Sequence, residues 1–312
     1  MEQQIVGGVL NRLRANLVSN RKEVDGLSYR LAIYNAPGEY EYLTEYRPLD
    51  NTVLFNGCNT VFVKGTITFP NEIRNDDDYE DYLFLQFHNL GGSIFIDGEP
   101  YNGIDSNRNK IPLRKEWAGQ TKELLVEGYF LDYNVTTRQA YRPTCLDYCY
   151  FGRLDKKVEK YMFDLQLCND WYRYDRDNPQ DDNIHIRKLI TAAFEDSIQY
   201  LDLYKTGDDF RNGVIEADNI LCKKLDEIDD GDIRSHISLV ASTHIDTAWL
   251  WPLKETVRKC GKTFSNVIAL MEKYPNLYLL SASLSFLLTL KNSTLTSLKR
   301  CVNACWRAAL SW

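Results

Sequence analysis

The sequence predicts a multi-domain β plus α/β chain: an amino-terminal antiparallel β-sandwich, a helical connector, and then a strand–helix–strand unit. Three observations carry this. Between residues 28 and 131, short runs rich in Val, Ile, Phe, Tyr and Thr are separated by Gly, Asn, Asp and Pro, the alternation of strand and turn that builds sandwiches. From about Asp155 apolar residues recur every three or four positions, a helical period. From Ile237 an apolar strand-like run, a helical run and a second apolar run follow one another. The resulting division is 1–27 as an amino-terminal helical segment, 28–154 as the sandwich, 155–235 as the connector, 236–283 as the α/β segment and 284–312 as a tail of different composition.

Within the sandwich the expected strands are 28–35, 60–69, 82–89, 93–98 and 122–131. Asn89-Leu-Gly-Gly92 reads as a tight connection between two of them, and Asp97-Gly98 as a hairpin turn, since both residue types accept positive φ. Aromatic residues are frequent here; each fills the core or, if exposed, could stack on a sugar ring. The acidic run Asp76-Asp77-Asp78-Tyr79-Glu80-Asp81 reads as a solvated loop without chemistry.

In the connector, Val158, Met162, Leu165 and Cys168 share one helical face. Asn178-Pro179 turns the chain, and Ile186, Leu189, Ile190, Phe194, Ile198 and Leu201 make the next apolar face. Gly207 breaks that helix, and Phe210, Val214, Ala217, Leu221 and Leu225 form a third. Asp226 to Asp232 fails as a calcium loop, because an EF-hand counted from Asp226 needs oxygen at 228 and Glu at 237, and both positions are isoleucine.

Ile237 to Ser242 has the length of a buried strand. Pro252 suits a first helical turn, and Val257, Cys260, Phe264, Val267, Ile268 and Met271 continue the helix to Tyr274-Pro275. Leu277 to Ala282 supplies the second strand, completing a βαβ unit, and the carboxyl end of the first strand of such a unit is where these folds carry chemistry. His244 and Asp246 occupy that edge. An imidazole nitrogen and a carboxylate oxygen two residues apart can converge on one divalent ion such as zinc. A His bonded to a strand-end carbonyl and an Asp capping the next helix satisfy the bare pattern equally.

Composition narrows the partners. Of 312 residues, 44% are hydrophobic and 26% charged, ordinary for a globular protein, and 37 basic against 44 acidic residues give a net charge of −7. That sign argues against nucleic acid or an anionic membrane surface as partner. The start, MEQQIVGGVLNRLRANL, has no secretory apolar core and no run reaches the roughly 20 apolar residues of a membrane span, so a cytoplasmic protein is expected, with a vacuole- or lysosome-like compartment as the alternative. Eight scattered cysteines without a C-x-x-C pair suggest reduced thiols.

His244-Ile245-Asp246-Thr247-Ala248-Trp249-Leu250-Trp251-Pro252, continued by Glu255-Thr256-Val257-Arg258-Lys259-Cys260, resembles the signature that opens the catalytic domain of the class II α-mannosidases, in their cytosolic and vacuolar branch. The resemblance implies a jelly-roll-like sandwich followed by an α/β barrel, of which 236–283 is the start and first βαβ unit. It implies zinc as cofactor, His244 and Asp246 as two of its ligands, and Trp249 as a wall of the mannose pocket. It further implies retaining hydrolysis of terminal α-linked mannose in mannose-containing glycans or free oligosaccharides, with no nucleic acid or membrane partner and homo-oligomerisation of the full-length form left open. Glu255 and Arg258, on the helix behind the motif, read as structural, in salt bridges or solvated.

The resemblance is expected to stop after Ser283. The 29 residues that follow hold no Asp or Glu, where the composition of the whole chain would place about four, which suggests a truncated or out-of-frame end or else a basic, Leu-rich terminal helix. No Asp or His follows Asp246. Because the family's nucleophile, acid and remaining zinc ligands lie downstream of the motif, the expectation is an amino-terminal mannosidase portion, inactive as it stands. The alternative is a non-enzymatic carbohydrate-binding or assembly module built on the sandwich.

Overall fold

The computed structural model describes residues 3–129, 133–134, 139–140, 144–177, 184–228, 241–243, 245–246, 251–274 and 279–281. In chain order the elements are α1 (Gln3–Asn16), β1 (Val18–Glu23), β2 (Ser28–Ala36), β3 (Glu39–Tyr42), β4 (Arg47–Pro48), β5 (Thr60–Thr68), β6 (Tyr79–Phe87), β7 (Gly91–Ile96), β8 (Glu99–Ile104), β9 (Lys110–Pro112) and β10 (Thr121–Tyr129). They continue as β11 (Tyr133–Asn134), β12 (Gln139–Ala140), β13 (Leu146–Asp155), α2 (Lys156–Asp177), α3 (Ile184–Tyr200), α4 (Gly207–Asp226), β14 (Ala241–Thr243), α5 (Leu253–Lys273) and β15 (Leu279–Ser281).

Two sheets form the β-sandwich. One runs β3-β2-β5-β10-β7-β8, with β4 also on β2, and the other runs β1-β13-β6-β9. The pairings around β2, β5, β7, β8 and β10 are antiparallel. Strand β7 shows why the sequence pattern works: its residues alternate half-buried and buried through Gly-Gly-Ser-Ile-Phe-Ile, one face to the core and one outward. Phe55, Phe69, Leu85, Ile94, Val126 and Phe151 meet in that core. The Asp97-Gly98 hairpin forms as the dipeptide demands, with φ of 51° and 79°, and Asn89 before β7 also takes positive φ, at 54°. Gly92 faces Gly128 across β7 and β10, and a Cβ on Gly92 would lie 2.5 Å from the Glu127 carbonyl oxygen, so the closeness of these strands depends on the missing side chain.

Two expectations change here. The helical segment expected to residue 27 ends at Asn16, and Val18–Glu23 is a strand, β1. The acidic run is not simply a solvated loop, because β6 already begins at Tyr79 and Glu80 and Asp81 are buried. Asp76 closes the turn by accepting the backbone N–H groups of Asp78 and Tyr79 at 2.9 Å each and Arg74 Nε at 2.7 Å. Asp81 receives a fork from Arg153, Nε at 2.8 Å and Nη2 at 2.9 Å. A buried carboxylate with a bidentate guanidinium is a structural group, and the charge density of the run reflects that pairing.

The chain divides into two compact units. The first gathers the described parts of residues 1–21, 74–82 and 152–237, the second those of 22–73, 83–151 and 238–312. In the first, α1, α2, α3 and α4 pack through Val9, Leu13, Leu165, Phe194, Val214 and Leu221. A buried polar link crosses three of these helices: Tyr161 Oη and Ser197 Oγ lie 2.9 Å apart, and Ser197 Oγ donates to the Ala217 carbonyl at 2.8 Å. In the second unit, β14 and β15 pair in parallel, Ala241 opposite Leu279 and Thr243 opposite Ser281, with α5 between them in sequence. Strand, helix and parallel strand form the βαβ unit that the sequence pattern predicted.

Candidate functional site

Of the three residues singled out for chemistry, Asp246 lies among the described residues and His244 and Trp249 lie outside them. Asp246 is half-buried, three positions past the end of β14 at Thr243. Helix α5 begins at Leu253, preceded by Pro252 with an extended backbone (φ −71°, ψ 157°). Pro252 has no N–H to lose there, which is why the helix starts beside it. Trp251 Nε1 donates to Thr256 Oγ1 at 3.1 Å, and the Lys259 ammonium lies 4.3 Å from the Trp251 ring centroid. The entry to α5 is therefore folded back on its own first turns.

Helix α5 buries two faces. Cys260, Phe264 and Val267 are buried on one side. On the other, Lys254, Arg258, Lys262 and Asn266 recur every fourth residue as one ridge, and each meets the sandwich through a polar contact. Tyr34 Oη donates to the Lys254 carbonyl at 3.0 Å while Lys254 Nζ returns a bond to the Tyr34 carbonyl at 2.7 Å. Arg258 Nη1 donates to Thr60 Oγ1 at 3.1 Å. Lys262 Nζ donates to Asp105 at 2.9 Å, and Gly103 N–H donates to Asn266 Oδ1 at 2.8 Å. Near the end of the helix Arg114 reaches Glu272 at 3.1 Å. Gly103 permits this approach, since a Cβ there would sit 2.6 Å from the Lys262 carbonyl oxygen.

Arg258 is the most enclosed member of the ridge. Its side chain is 5% exposed, with Nε 3.3 Å from Glu127 Oε1 and Nη1 3.4 Å from Glu255 Oε1. The guanidinium carbon lies 4.4 Å from the Tyr34 ring centroid and 4.6 Å from that of Tyr129, and Nε and Nη2 are both buried with no hydrogen-bond partner among the described residues, so the approach to Glu127 is an ion pair alone. Burial shapes the titration of this cluster: it pushes Glu255 above the ordinary carboxylate range even beside Arg258, and lifts Tyr34 to about 12 against the pull of the same guanidinium. Burial also raises Tyr129 and lowers Lys259. Glu255 and Arg258 are thus structural, and buried rather than solvated.

Among the described residues, Asp164, Asp218 and Cys222 bring three ligand-type atoms close together. The Lys160 ammonium occupies their centre, 2.7 Å from Asp164, 2.8 Å from Asp218 and 3.2 Å from Cys222 Sγ, so the cluster already has its cation. On the sandwich, Tyr42 is half exposed, but the Arg30 guanidinium covers one ring face at 3.5 Å and Phe62 flanks it at 6.0 Å. The described cysteines at 58, 145, 149, 168, 222 and 260 are free thiols. No described helix is long and apolar enough to cross a membrane.

Sequence reasoning missed the docking partners Tyr34, Thr60, Glu127 and Asp105. The fourfold spacing of Lys254, Arg258, Lys262 and Asn266 gave no signal of docking, since a water-facing side of a helix carries polar residues at the same spacing.

Comparison with known proteins reaches the chain through this segment. Residues 234–305 match the model of the Glycosyl hydrolases family 38 N-terminal domain, a match that includes Asp246 and all of α5 and runs past Ser283, where the resemblance was expected to stop. Alpha-mannosidase 2C1 of Mus musculus is 51% identical over 43 residues, 14% of this chain and 4% of the mouse protein. The Homo sapiens Alpha-mannosidase 2C1 is 49% identical over 45 residues, again 14% and 4%. Alpha-mannosidase of Saccharomyces cerevisiae is 36% identical over 52 residues, 17% of this chain and 5% of the yeast protein. The similarity therefore spans a small fraction of each relative. Residues 234–305 are thus similar to the glycosyl hydrolases family 38 N-terminal domain, in keeping with the class II α-mannosidase resemblance carried by the H-x-D motif.

Proposed function

We propose that the segment beginning near residue 236 opens the α/β-barrel catalytic domain of a zinc-dependent, retaining α-mannosidase acting on terminal α-linked mannose in glycans or free oligosaccharides, in the cytoplasm. The observation that carries the reading is the parallel pairing of β14 with β15 around α5, with Asp246 just past the carboxyl end of β14.

The donor chemistry fits the metal. Asp246 offers a half-buried carboxylate and His244 an imidazole, the nitrogen and oxygen donors that zinc accepts. Zinc, when bound, would polarise and orient neighbouring sugar hydroxyls. Trp249 would supply an apolar wall for the face of the mannose ring, holding it in one orientation and excluding water. Retaining hydrolysis further needs a carboxylate nucleophile at the anomeric carbon and an acid at the leaving oxygen. After Asp246 the only carboxylates in these 312 residues are Glu255 and Glu272. Glu255 is buried against Arg258 and Glu272 is paired with Arg114, so neither is free for that work.

The test has two arms, both reading release from an aryl α-mannoside with added zinc. The 312-residue chain alone is expected to be silent. A chimera joining residues 1–283 to the remainder of Alpha-mannosidase 2C1 is expected to be active, and to lose activity on His244→Ala or Asp246→Ala. A folded but inactive chimera, or an active one indifferent to both substitutions, would sink the reading.

A further inference from the structure

We infer that the outer face of α2 is a self-association surface, on which a second copy of this chain packs antiparallel about a two-fold axis passing beside Leu167. The inference is independent of the α-mannosidase reading, because it concerns the helical unit and no part of the H-x-D segment.

Helix α2 is apolar on two opposite sides. One side, with Val158, Tyr161, Leu165 and Cys168, is buried in the helical core. On the other, Phe163, Leu167 and Trp171 follow one another at every fourth residue, which sets them in a single row, one turn apart. They are 56%, 71% and 41% exposed. Single apolar side chains on a surface are ordinary. A row of bulky ones is not, and a helix that is apolar on both sides is built to be covered on both.

Two features of the helix select its own copy as the cover. Leu167, the most exposed of the row, stands at the middle of the 22-residue helix. A two-fold axis beside it therefore places Phe163 opposite Trp171 of the second copy, and lays the two helices along each other over their whole length of roughly 33 Å. Charge follows the same symmetry. Lys156, Lys157 and Lys160 lie in the first turns of α2, and Asp170 and Asp177 in the last. An antiparallel pair sets the basic end of each helix beside the acidic end of the other, and brings Glu159 near Arg173 of the second copy; a parallel pair would align like with like. One helix from each copy makes a small interface, so the dimer is reversible and concentration-dependent.

The experiment is sedimentation equilibrium on the full 312-residue chain, from about 1 to about 200 µM. Wild type is expected to show a monomer–dimer equilibrium, and Leu167→Glu to raise its dissociation constant about tenfold or more. Because Leu167 is exposed, the far-ultraviolet circular dichroism of that variant should match wild type. Orientation is read by disulfide trapping. In a mixture of Phe163→Cys and Trp171→Cys chains, links between the two variants are expected to form faster than links within either, with peptide mass mapping to separate them from links through the native free thiols. A wild type that stays monomeric throughout the range would overturn the inference. So would a dimer indifferent to Leu167→Glu, or Phe163→Cys chains that link preferentially to themselves. None of these readouts depends on glycosidase activity, so the chimera assay can fail while this test succeeds, and the reverse.

Discussion

Arg258 donates to Thr60 at 3.1 Å across 198 positions of sequence, tying the helix that follows the H-x-D turn to the first residue of β5. Both groups are buried, and Glu127 and Glu255 complete the charge balance. Removing the guanidinium takes its charge from buried Glu255 and half-buried Glu127, leaving Glu255 the nearby ammonium groups of Lys254 and Lys259 and Glu127 the Tyr40 hydroxyl at 2.7 Å. Arg258→Met is expected to lower unfolding free energy by about 1–3 kcal/mol in urea titration. A loss under about 1 kcal/mol, the value of an exposed pair, would contradict the burial.

Gly103 should resist even a methyl group. An added Cβ would lie 2.5 Å from Lys262 Cγ and 2.6 Å from the Lys262 carbonyl oxygen, and the second contact is helix backbone that no rotamer change can relieve. Gly103→Ala is expected to cost about 1–3 kcal/mol and to weaken protection of α5 first. Gly98→Ala, strained by its φ of 79° but far from any neighbour within 4 Å, serves as the control that leaves α5 in place.

Alkaline pH should unfold the second unit through its buried phenols. Burial lifts Tyr34 from 10.0 to about 12 and raises Tyr40 and Tyr129 as well. The folded chain thus binds these protons more tightly than the unfolded chain does. Stability is full below about pH 10 and falls as pH rises through the folded-state values. The share of tyrosinate absorbance that belongs to these three should therefore appear late, together with loss of near-ultraviolet circular dichroism. Independent early titration of every tyrosine would refute this.

The fork between Arg153 and Asp81 offers a separate test in the first unit. Arg153→Lys keeps the charge but not the bidentate geometry and is expected to cost about 1–3 kcal/mol, with Arg153→Ala costing more because the Asp81 carboxylate stays enclosed. Thermal melts of both variants, beside Asp77→Asn as an exposed control in the same run, separate the cases. Equal melting temperatures for Lys and wild type would deny the fork its role.

Where the sequence spoke locally, its reading was good. Asp97-Gly98 makes the hairpin, Asn89 the turn before β7, and the period change at Asp155 coincides with the start of α2 at Lys156. These signals are intrinsic to a few adjacent residues. Strand β1 was missed because Val18-Ser-Asn-Arg-Lys-Glu23 is almost wholly exposed and carries no apolar alternation; its sheet neighbour, not its own pattern, makes it a strand. The acidic run was misjudged for a similar reason, since Arg153 lies 72 positions from Asp81. At the candidate site, the helix behind the H-x-D motif was legible. The destination of the helix's charged ridge was not, because Thr60, Glu127 and Asp105 become its neighbours only through tertiary packing. His244 and Trp249 fall outside the described residues, and their roles rest on the proposed function.

The ridge on α5 also changes how the segment would behave if moved. Lys254, Arg258 and Lys262 lie along one line and, with Lys259 and Lys273 against Glu255 and Glu272, give α5 an excess of three positive charges. In place, Glu127 and Asp105 offset the line. Cut away from the sandwich, for transplantation into another scaffold or for study as a peptide, the same helix would present a cationic strip. It would be retained on anionic resins and released by salt, and any apparent affinity for nucleic acid or acidic vesicles would be an artefact of excision.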